Sequence, residues 1–462
     1  VDLETPFPYQ IEGAAYVASK QHALLADDMG LGKSCQAVLA CDTIGAGNIL
    51  VVCPAAVRVN WSREFSRFSP MDRDCVVLTT GRDRPAARGV TVISYDLLAA
   101  NEKLRHELKS RQWDVLILDE AHYLKERSAK RTKAVYGHNA RSPGLSAASL
   151  RVWRLTGTPA PNNAGELYTH LKSAGIYTGA YWDFVFEFCT GFDAGFGFKI
   201  TGHKNVDKLK SLMAQFMLRR KKETVMSQLP PISFHHVVVE RSQVELDPYF
   251  YENWRPIGAK AFLAEMEAKD KTLKAALATV RTVNHGYKAG DALGVLNAMA
   301  NSTATLRRYI GLAKLPRCLE IIEEELASGK IDKLVLFAIH KDVIEGAREA
   351  LRKFKPVTLY GGTPAEKRQA NIDKFQNDPK CRVFIGNIVA AGTGITLTAA
   401  HEVAFLEADW VPANNAQAAM RCHRIGQTKH VRVRFFSCAG SVDEDVMTTL
   451  VHKTRELAKI FD

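Results

Sequence analysis

Short β-branched apolar runs alternate along the chain with stretches of helical periodicity, the pattern of parallel strands buried between layers of helices. The first set of predicted strands covers Asn48–Cys53, Cys75–Thr79, Val90–Ser94, Asp114–Asp119 and Val152–Thr156. A second set covers Lys333–Ile339, Val357–Tyr360, Cys381–Ile385, Glu402–Glu407 and His430–Phe436. A helix-rich stretch at 249–327 lies between them, and Leu229-Pro230-Pro231 is the clearest break. The expectation is an α/β protein of two lobes, each a mainly parallel sheet covered by helices. Residues 1–228 form the first, with a helical protrusion, and 229–462 the second, with a helical insertion. Ligands of open parallel sheets bind beyond the carboxyl ends of the strands, so polar residues placed there are the first candidates for chemistry.

One such stretch is Ala26-Asp27-Asp28-Met29-Gly30-Leu31-Gly32-Lys33-Ser34, which reads as a phosphate-binding loop opening a helix. Glycines let successive backbone N–H groups close round phosphate oxygens, a lysine reaches the β and γ phosphates, and a hydroxyl serves Mg²⁺. Asp28, Gly30, Gly32, Lys33 and Ser34 are the expected nucleotide-binding residues. The strict pattern wants glycine five positions before Gly32, where this chain has Asp27. A Gly-Lys-Ser turn also caps ordinary helices, so the loop needs company.

The company is Leu116-Ile117-Leu118-Asp119-Glu120-Ala121-His122, an apolar strand with two acids and a histidine at its tip. A carboxylate there can hold Mg²⁺ and its neighbour can orient and deprotonate the attacking water, which assigns Asp119 to the metal and Glu120 to the water. Two acids at such a point also cap helices. Next comes Leu155-Thr156-Gly157-Thr158-Pro159, followed by Asn162 and Asn163. The hydroxyls of Thr156 and Thr158 suit a relay between the acidic tip and the opposite lobe, although the same residues make ordinary turns.

Composition narrows the class. The chain has 462 residues, 46% of them hydrophobic, enough for large cores. A formal charge of +12 favours polyanionic partners. Nine cysteines without a C-x-x-C pair argue against a zinc ribbon and a secreted disulfide framework, leaving no expected structural metal and an intracellular setting. No apolar run approaches the roughly 18 residues that span a bilayer, and no basic-then-apolar leader follows Val1, so no membrane role is expected. Neither H-E-x-x-H nor G-x-S-x-G occurs.

Taken in order, these segments resemble superfamily-two helicases of the Swi/Snf type. The likeness runs from about Pro6 to Val442 and rests on Pro8-Tyr9-Gln10, the phosphate loop, Asp119-Glu120-Ala121-His122, Thr156-Gly157-Thr158-Pro159 and Gln417-Ala418-Ala419-Met420-Arg421-Cys422-His423-Arg424-Ile425-Gly426-Gln427. Pro54 to Glu64, Ser94-Tyr95, Leu218-Arg219-Arg220 and Gly392 to Leu397 match as well. Glu187-Phe188-Cys189, Thr305-Leu306-Arg307-Arg308 and Phe337-Ala338-Ile339-His340-Lys341 carry a closer likeness to the annealing-helicase, or HARP-type, branch. The family often has an acid before the first arginine of the last motif, and here that residue is Met420.

The resemblance implies two RecA-like lobes forming an ATP- and Mg²⁺-dependent motor that translocates along double-stranded or branched DNA. Fork remodelling or strand annealing is its implied task. A strand-separating helicase, an RNA-dependent ATPase and an ATP-gated DNA clamp are the alternatives. Gln10 would read the adenine edge, Arg421 and Arg424 would face the phosphates from across a cleft, and Gln417 would join Thr156 and Thr158 in coupling. The DNA backbone would meet Arg58, Asn60, Trp61, Ser94, Tyr95, Asn163, Lys341, Gly362, Thr363, Thr393 and Trp410. Trp61 and Trp410 also fit a core role, Arg219 to Lys222 fits a solvated helix end, and Gly191 to Asn205 reads as a base-stacking segment or as a hairpin packing its phenylalanines on the first lobe.

Overall fold

The computed structural model describes residues 3–139, 141–193, 198–226, 229–239, 289–391 and 395–439, and beyond them 441, 443, 444, 446–448, 450, 451, 454 and 461. The chain divides into two compact units. The first takes 1–191, 200–229 and 453–462, the second 192–199 and 230–452, so the main break falls between Leu229 and Pro230.

In the first unit, α1 (Pro8–Ala18) leads into β1 (His22–Leu25), and the candidate phosphate loop joins β1 to α2 (Lys33–Thr43). The strands that follow are β2 (Asn48–Cys53), β3 (Cys75–Val77), β4 (Gly89–Ser94) and β5 (Trp113–Asp119); a small hairpin of β6 (Gly137–Asn139) and β7 (Ser142–Pro143) then precedes β8 (Ser149–Leu155). Helix α3 (Arg58–Phe68) follows β2, and the short α4 (Tyr95–Ala100) follows β4. Strands β9 (Cys189–Asp193) and β10 (Phe198–His203) pair only with each other, and β11 (Met217–Leu218) ends the unit's main sheet. That sheet has the order β11-β1-β8-β5-β2-β4-β3 and is parallel throughout. Ile49 to Cys53 are all inaccessible to solvent, which is why β2 reads as an unbroken apolar run and not as an alternating one.

The register decides the site. Leu25 pairs with Leu155, and Leu155 with Asp119, so β1, β8 and β5 end level. The phosphate loop, the threonine turn and the acidic tip therefore leave the same edge of the sheet from neighbouring strands.

The second unit holds β12 (Ile232–Val239), β13 (Leu334–Ala338), β14 (Val357–Leu359), β15 (Val383–Asn387), β16 (Glu402–Phe405) and β17 (Val431–Cys438). Their order is β12-β17-β16-β13-β15-β14, again all parallel. Each unit is thus a parallel sheet covered by helices, the RecA-like form. Phe405 stacks on Phe435 at 4.5 Å between ring centroids, joining β16 to β17. A helix covers Ala289–Ala327, while 249–288 of the expected helical insertion lies outside the described residues.

Three differences from the sequence reading have physical causes. Strand β1, His22-Ala23-Leu24-Leu25, contains no β-branched residue and carries no strand signal of its own. It is fixed by neighbours, with Leu24 N–H on Phe216 O at 2.8 Å and Ala26 N–H on Leu218 O at 2.7 Å. The hairpin β9–β10 forms, but Phe192 stays 47% exposed instead of packing down, and Phe196 lies outside the described residues. Arg219 and Arg220 are not a solvated helix end: their side chains are only 20% and 15% exposed and lie beside the phosphate loop.

Candidate nucleotide site

The loop closes as its glycines allow. Gly30 and Gly32 have φ of +86° and +71°, and Gly32 caps α2 from the left-handed region. A Cβ on Gly32 would stand 2.2 Å from Gln10 Nε2. Gln10 itself is buried, accepting from Phe7 N–H at 2.9 Å and donating to Leu31 O at 3.3 Å, so its amide braces the loop. Lys33 Nζ donates to the carbonyls of Asp27 at 2.7 Å and Asp28 at 3.2 Å. Burial lowers the Lys33 pKa, with Glu120, Asp27, Asp119 and Asp28 pulling the other way.

Asp27, where the strict pattern has glycine, turns its carboxylate into the protein interior. It is fully buried and takes Arg220 Nη2 at 2.6 Å, Arg220 Nε at 3.1 Å, the Arg220 N–H at 3.0 Å and Gln36 Nε2 at 3.0 Å. Arg220 also donates to Tyr9 O at 2.6 Å, tying α1 to the same knot. Asp28 accepts the Lys222 N–H at 3.0 Å and lies 3.9 Å from Arg219, so its carboxylate serves this brace too.

At the tip of β5, Asp119 Oδ1 accepts the Glu120 N–H at 2.9 Å and Oδ2 accepts the Trp61 indole N–H at 2.8 Å. Burial first, and the adjacent Glu120 second, raise the Asp119 pKa above the usual carboxylate range. Glu120 has φ +48°, a strained value for a non-glycine residue at a chemical tip. Its Oε2 lies 3.3 Å from His122 Nδ1, which is 3.1 Å from Thr156 Oγ1, and Thr156 Oγ1 accepts the Thr158 N–H at 3.1 Å. The chain Glu120, His122, Thr156, Thr158 is a continuous polar path between the acid tip and the threonine turn. The Thr158 hydroxyl is buried without a partner among the described residues. A Cβ on Gly157 would meet Met29 Cγ at 2.7 Å and Lys33 Nζ at 3.4 Å, which sets that turn against the loop.

These residues suit a magnesium nucleotide. The Asp119 carboxylate and Ser34 hydroxyl are hard oxygen donors, and the cradle at Gly32 has no room for a side chain. Among the described residues no group of three or more His, Cys, Asp or Glu is arranged to hold a metal, all nine cysteines are free, and no helix is long and apolar enough to cross a membrane.

The second unit places the last motif at the end of the helix Pro412–Ala419 and in the turn beyond it. Arg421 is 5% exposed with Nε on Gln417 O at 3.0 Å, whereas the half-buried Arg424 donates to Ile395 O at 2.9 Å and Thr396 Oγ1 at 3.2 Å. Gln417 is buried, and Gln427 pins the motif by donating to Thr398 O, Ala400 O and Cys422 O. A further cluster lies beyond β13 and β16, where Glu407 meets the Phe337–Lys341 segment. There the buried Glu407 accepts from the N–H groups of Ile339 and His340 and lies 2.6 Å from His340 Nδ1, which hold its pKa down against burial.

The residues expected on DNA divide sharply. Asn60, Lys341 and Gly362 are exposed; Arg58, Asn163, Thr363 and Trp410 are half-buried; Thr393 lies outside the described residues. Arg58 donates to Leu78 O at 2.8 Å, and the Arg307 guanidinium sits 5.3 Å from the Trp410 ring centre. Trp61, Ser94 and Tyr95 do not present a contact surface. They are 1%, 3% and 1% exposed. The reason is local: Ser94 caps α4 through Leu97 N–H at 3.2 Å, Tyr95 stacks on Tyr123 and donates to Asp119 O at 2.8 Å, and Trp61 reaches the Asp119 carboxylate.

Fold and candidate site together describe two parallel α/β units, the first with a glycine-rich turn and an acid pair at one edge of its sheet. The chain belongs to the SNF2-related family: the SNF2-related domain matches residues 9–288, and the helicase conserved C-terminal domain matches 314–426. It is 32% identical over 461 residues to the SWI/SNF-related matrix-associated actin-dependent regulator of chromatin subfamily A-like protein 1 of Xenopus tropicalis, covering 98% of this chain and 44% of that protein. It is 29% identical to the DNA annealing helicase and endonuclease ZRANB3 of Mus musculus, over 97% of this chain and 40% of that one. The chain thus spans less than half the length of both relatives. A solved Sulfolobus solfataricus SWI2/SNF2 ATPase core in complex with dsDNA aligns at 24% identity and a TM-score of 0.43, covering 100% of this chain and 99% of that chain.

Proposed function

We propose that this chain is a DNA-dependent ATPase that translocates along double-stranded DNA and acts on forks or annealing strands. The observation that carries the reading is the level ending of β1, β8 and β5, which brings Lys33, Thr156 and the pair Asp119 and Glu120 to one sheet edge within a SNF2-related chain.

In this mechanism Lys33 leaves the carbonyls of Asp27 and Asp28 for phosphate oxygens. Glu120 orients the attacking water and takes its proton, and His122 passes the state of Glu120 to Thr156 and onward to Thr158. Asp119 and Ser34 would hold Mg²⁺, which supplies charge neutralisation at the phosphates. Gln10 keeps Gly32 in register for the nucleotide. In the last motif Arg424 has the more accessible guanidinium of the two arginines, and it is the one proposed to act in turnover. DNA is held by its backbone, without base readout, through residues such as Asn60 and Lys341.

The test is steady-state ATP hydrolysis with no nucleic acid, single-stranded DNA, duplex DNA, a forked DNA and duplex RNA, with Lys33→Ala as blank. Stimulation chiefly by duplex or forked DNA is expected. Stimulation chiefly by single strands or RNA would replace the reading with a strand-separating or RNA-dependent enzyme, and DNA binding without hydrolysis would replace it with a clamp.

A further inference from the structure

We propose that Trp61 is a positioning residue for the Asp119 carboxylate, not a DNA contact, and that through it α3 reports its own position to the hydrolysis site. This deepens the ATPase reading and rests on it. Asp119 is gripped from three sides. The Trp61 indole takes Oδ2 at 2.8 Å, the Glu120 N–H takes Oδ1 at 2.9 Å, and the Tyr95 hydroxyl takes the main-chain oxygen at 2.8 Å.

An indole nitrogen can only donate, so it accepts no alternative role in this network. Hydroxyls and waters can reverse their bonds as a site changes; the indole of Trp61 cannot. It therefore fixes which carboxylate oxygen turns toward α3 and which stays with the Glu120 peptide. Nor is the ring free to drift, because it is 1% exposed and packs 6.3 Å from the Phe65 ring inside the sheet-facing side of α3.

The other side of α3 faces solvent. Val59 is 57% exposed and Asn60 is exposed, two residues and one residue before Trp61. Helix α3 thus carries, on adjacent positions, a surface proposed to meet the DNA backbone and a rigid donor to the metal-binding carboxylate. Hydrogen bonds weaken steeply as they lengthen or bend, so a displacement of α3 of a few tenths of an ångström alters the hold on Asp119. Tyr95 makes α4 a second such link, acting on the peptide that leads into the strained Glu120.

The experiment uses the whole chain carrying Trp61→Phe, which keeps an aromatic ring in the core and removes the N–H. Three quantities are read: kcat for ATP with saturating duplex DNA, Kd for duplex DNA, and the Mg²⁺ dependence of binding a fluorescent ATP analogue without turnover. Losing a hydrogen bond to a charged group predicts a fall in kcat of about tenfold or more. Half-saturating Mg²⁺ is expected to rise, and Kd for DNA to stay as in the wild type. Unchanged kcat and Mg²⁺ dependence would overturn the proposal. So would normal turnover with weakened DNA binding, which would return Trp61 to the DNA surface.

If the thermal melt shows that Trp61→Phe does not fold, Trp61→Tyr, which keeps an aromatic ring and removes the indole donor to Asp119, is read in the same three ways, with unchanged kcat and Mg²⁺ dependence overturning the proposal. A wild-type chain that hydrolyses no ATP with any nucleic acid overturns the ATPase reading instead. The Mg²⁺ dependence of nucleotide binding then still decides the role of Trp61.

Discussion

At the residue scale, Asp27 and Arg220 account for the one position where the phosphate loop leaves the strict glycine pattern. The Asp27 carboxylate turns inward and receives the forked guanidinium of a residue 193 positions away. Such a pair is costly to break from one side, since a buried carboxylate is left without its counter-charge. Arg220→Ala is therefore expected to lower unfolding free energy by about 3–5 kcal/mol. Arg220→Lys should recover only part of that in chemical denaturation, because an ammonium cannot fork. The acid pair makes a different prediction. Glu120→Gln preserves shape and hydrogen bonding but removes the base, so ATP turnover should vanish while DNA affinity, read by fluorescence anisotropy, stays at the wild-type value; joint loss of both would overturn the separation of roles. Lys33, Asp119 and Glu120 stand out as candidates in the sequence because their motifs are short and local. Arg220 was not, since nothing local distinguishes it from Arg219.

At the scale of elements, the candidate site is a matter of three strand ends and one helix start. Gly32 joins the phosphate loop to α2 at φ +71°, with Gln10 of α1 pressed against it. Any side chain there meets both the left-handed strain, about 1–2 kcal/mol, and a neighbour that cannot retreat without releasing Phe7. Gly32→Ala should thus weaken binding of a fluorescent ATP analogue at least about tenfold, as the two costs together exceed 1.4 kcal/mol. Normal affinity would mean that Gln10 does not brace the loop. The helices α3 and α4 show what element-level patterns leave open. By sequence Trp61 is a candidate both for DNA and for the core, and Tyr95 for DNA; periodicity does not say which helix face meets which strand end, and both turn to the acid tip while Asn60 stays exposed.

For the molecule as a whole, burial of charge sets a pH limit on stability. Arg154 is fully buried on β8, donating to Tyr136 Oη, Val152 O and Ser173 Oγ, and no carboxylate pairs with it among the described residues. His170, also fully buried, is pushed down to about 3, by burial first and then by Arg154 and His122. His22 is likewise lowered to about 4, by burial and Arg154. Between these values and the ordinary 6.5 the unfolded chain binds protons that the folded chain refuses, so stability falls as pH falls. At pH 5 His170 alone should cost about 2 kcal/mol relative to pH 7. Chemical denaturation at the two pH values checks this, and His170→Asn should flatten the difference.

The sequence by itself determined the α/β class and the two parallel sheets, and it marked the phosphate loop and the acid pair as candidates, because apolar runs and short motifs encode local structure. It placed most strands to within a few residues, and missed β1 because four residues without β-branching become a strand only between β8 and β11. Tertiary structure alone decided that β1, β8 and β5 end level, that Asp27 belongs to Arg220, and that Trp61 holds Asp119. The physical reason is common to all three: each depends on register or burial between segments far apart in the chain, and neither is written in any one of them.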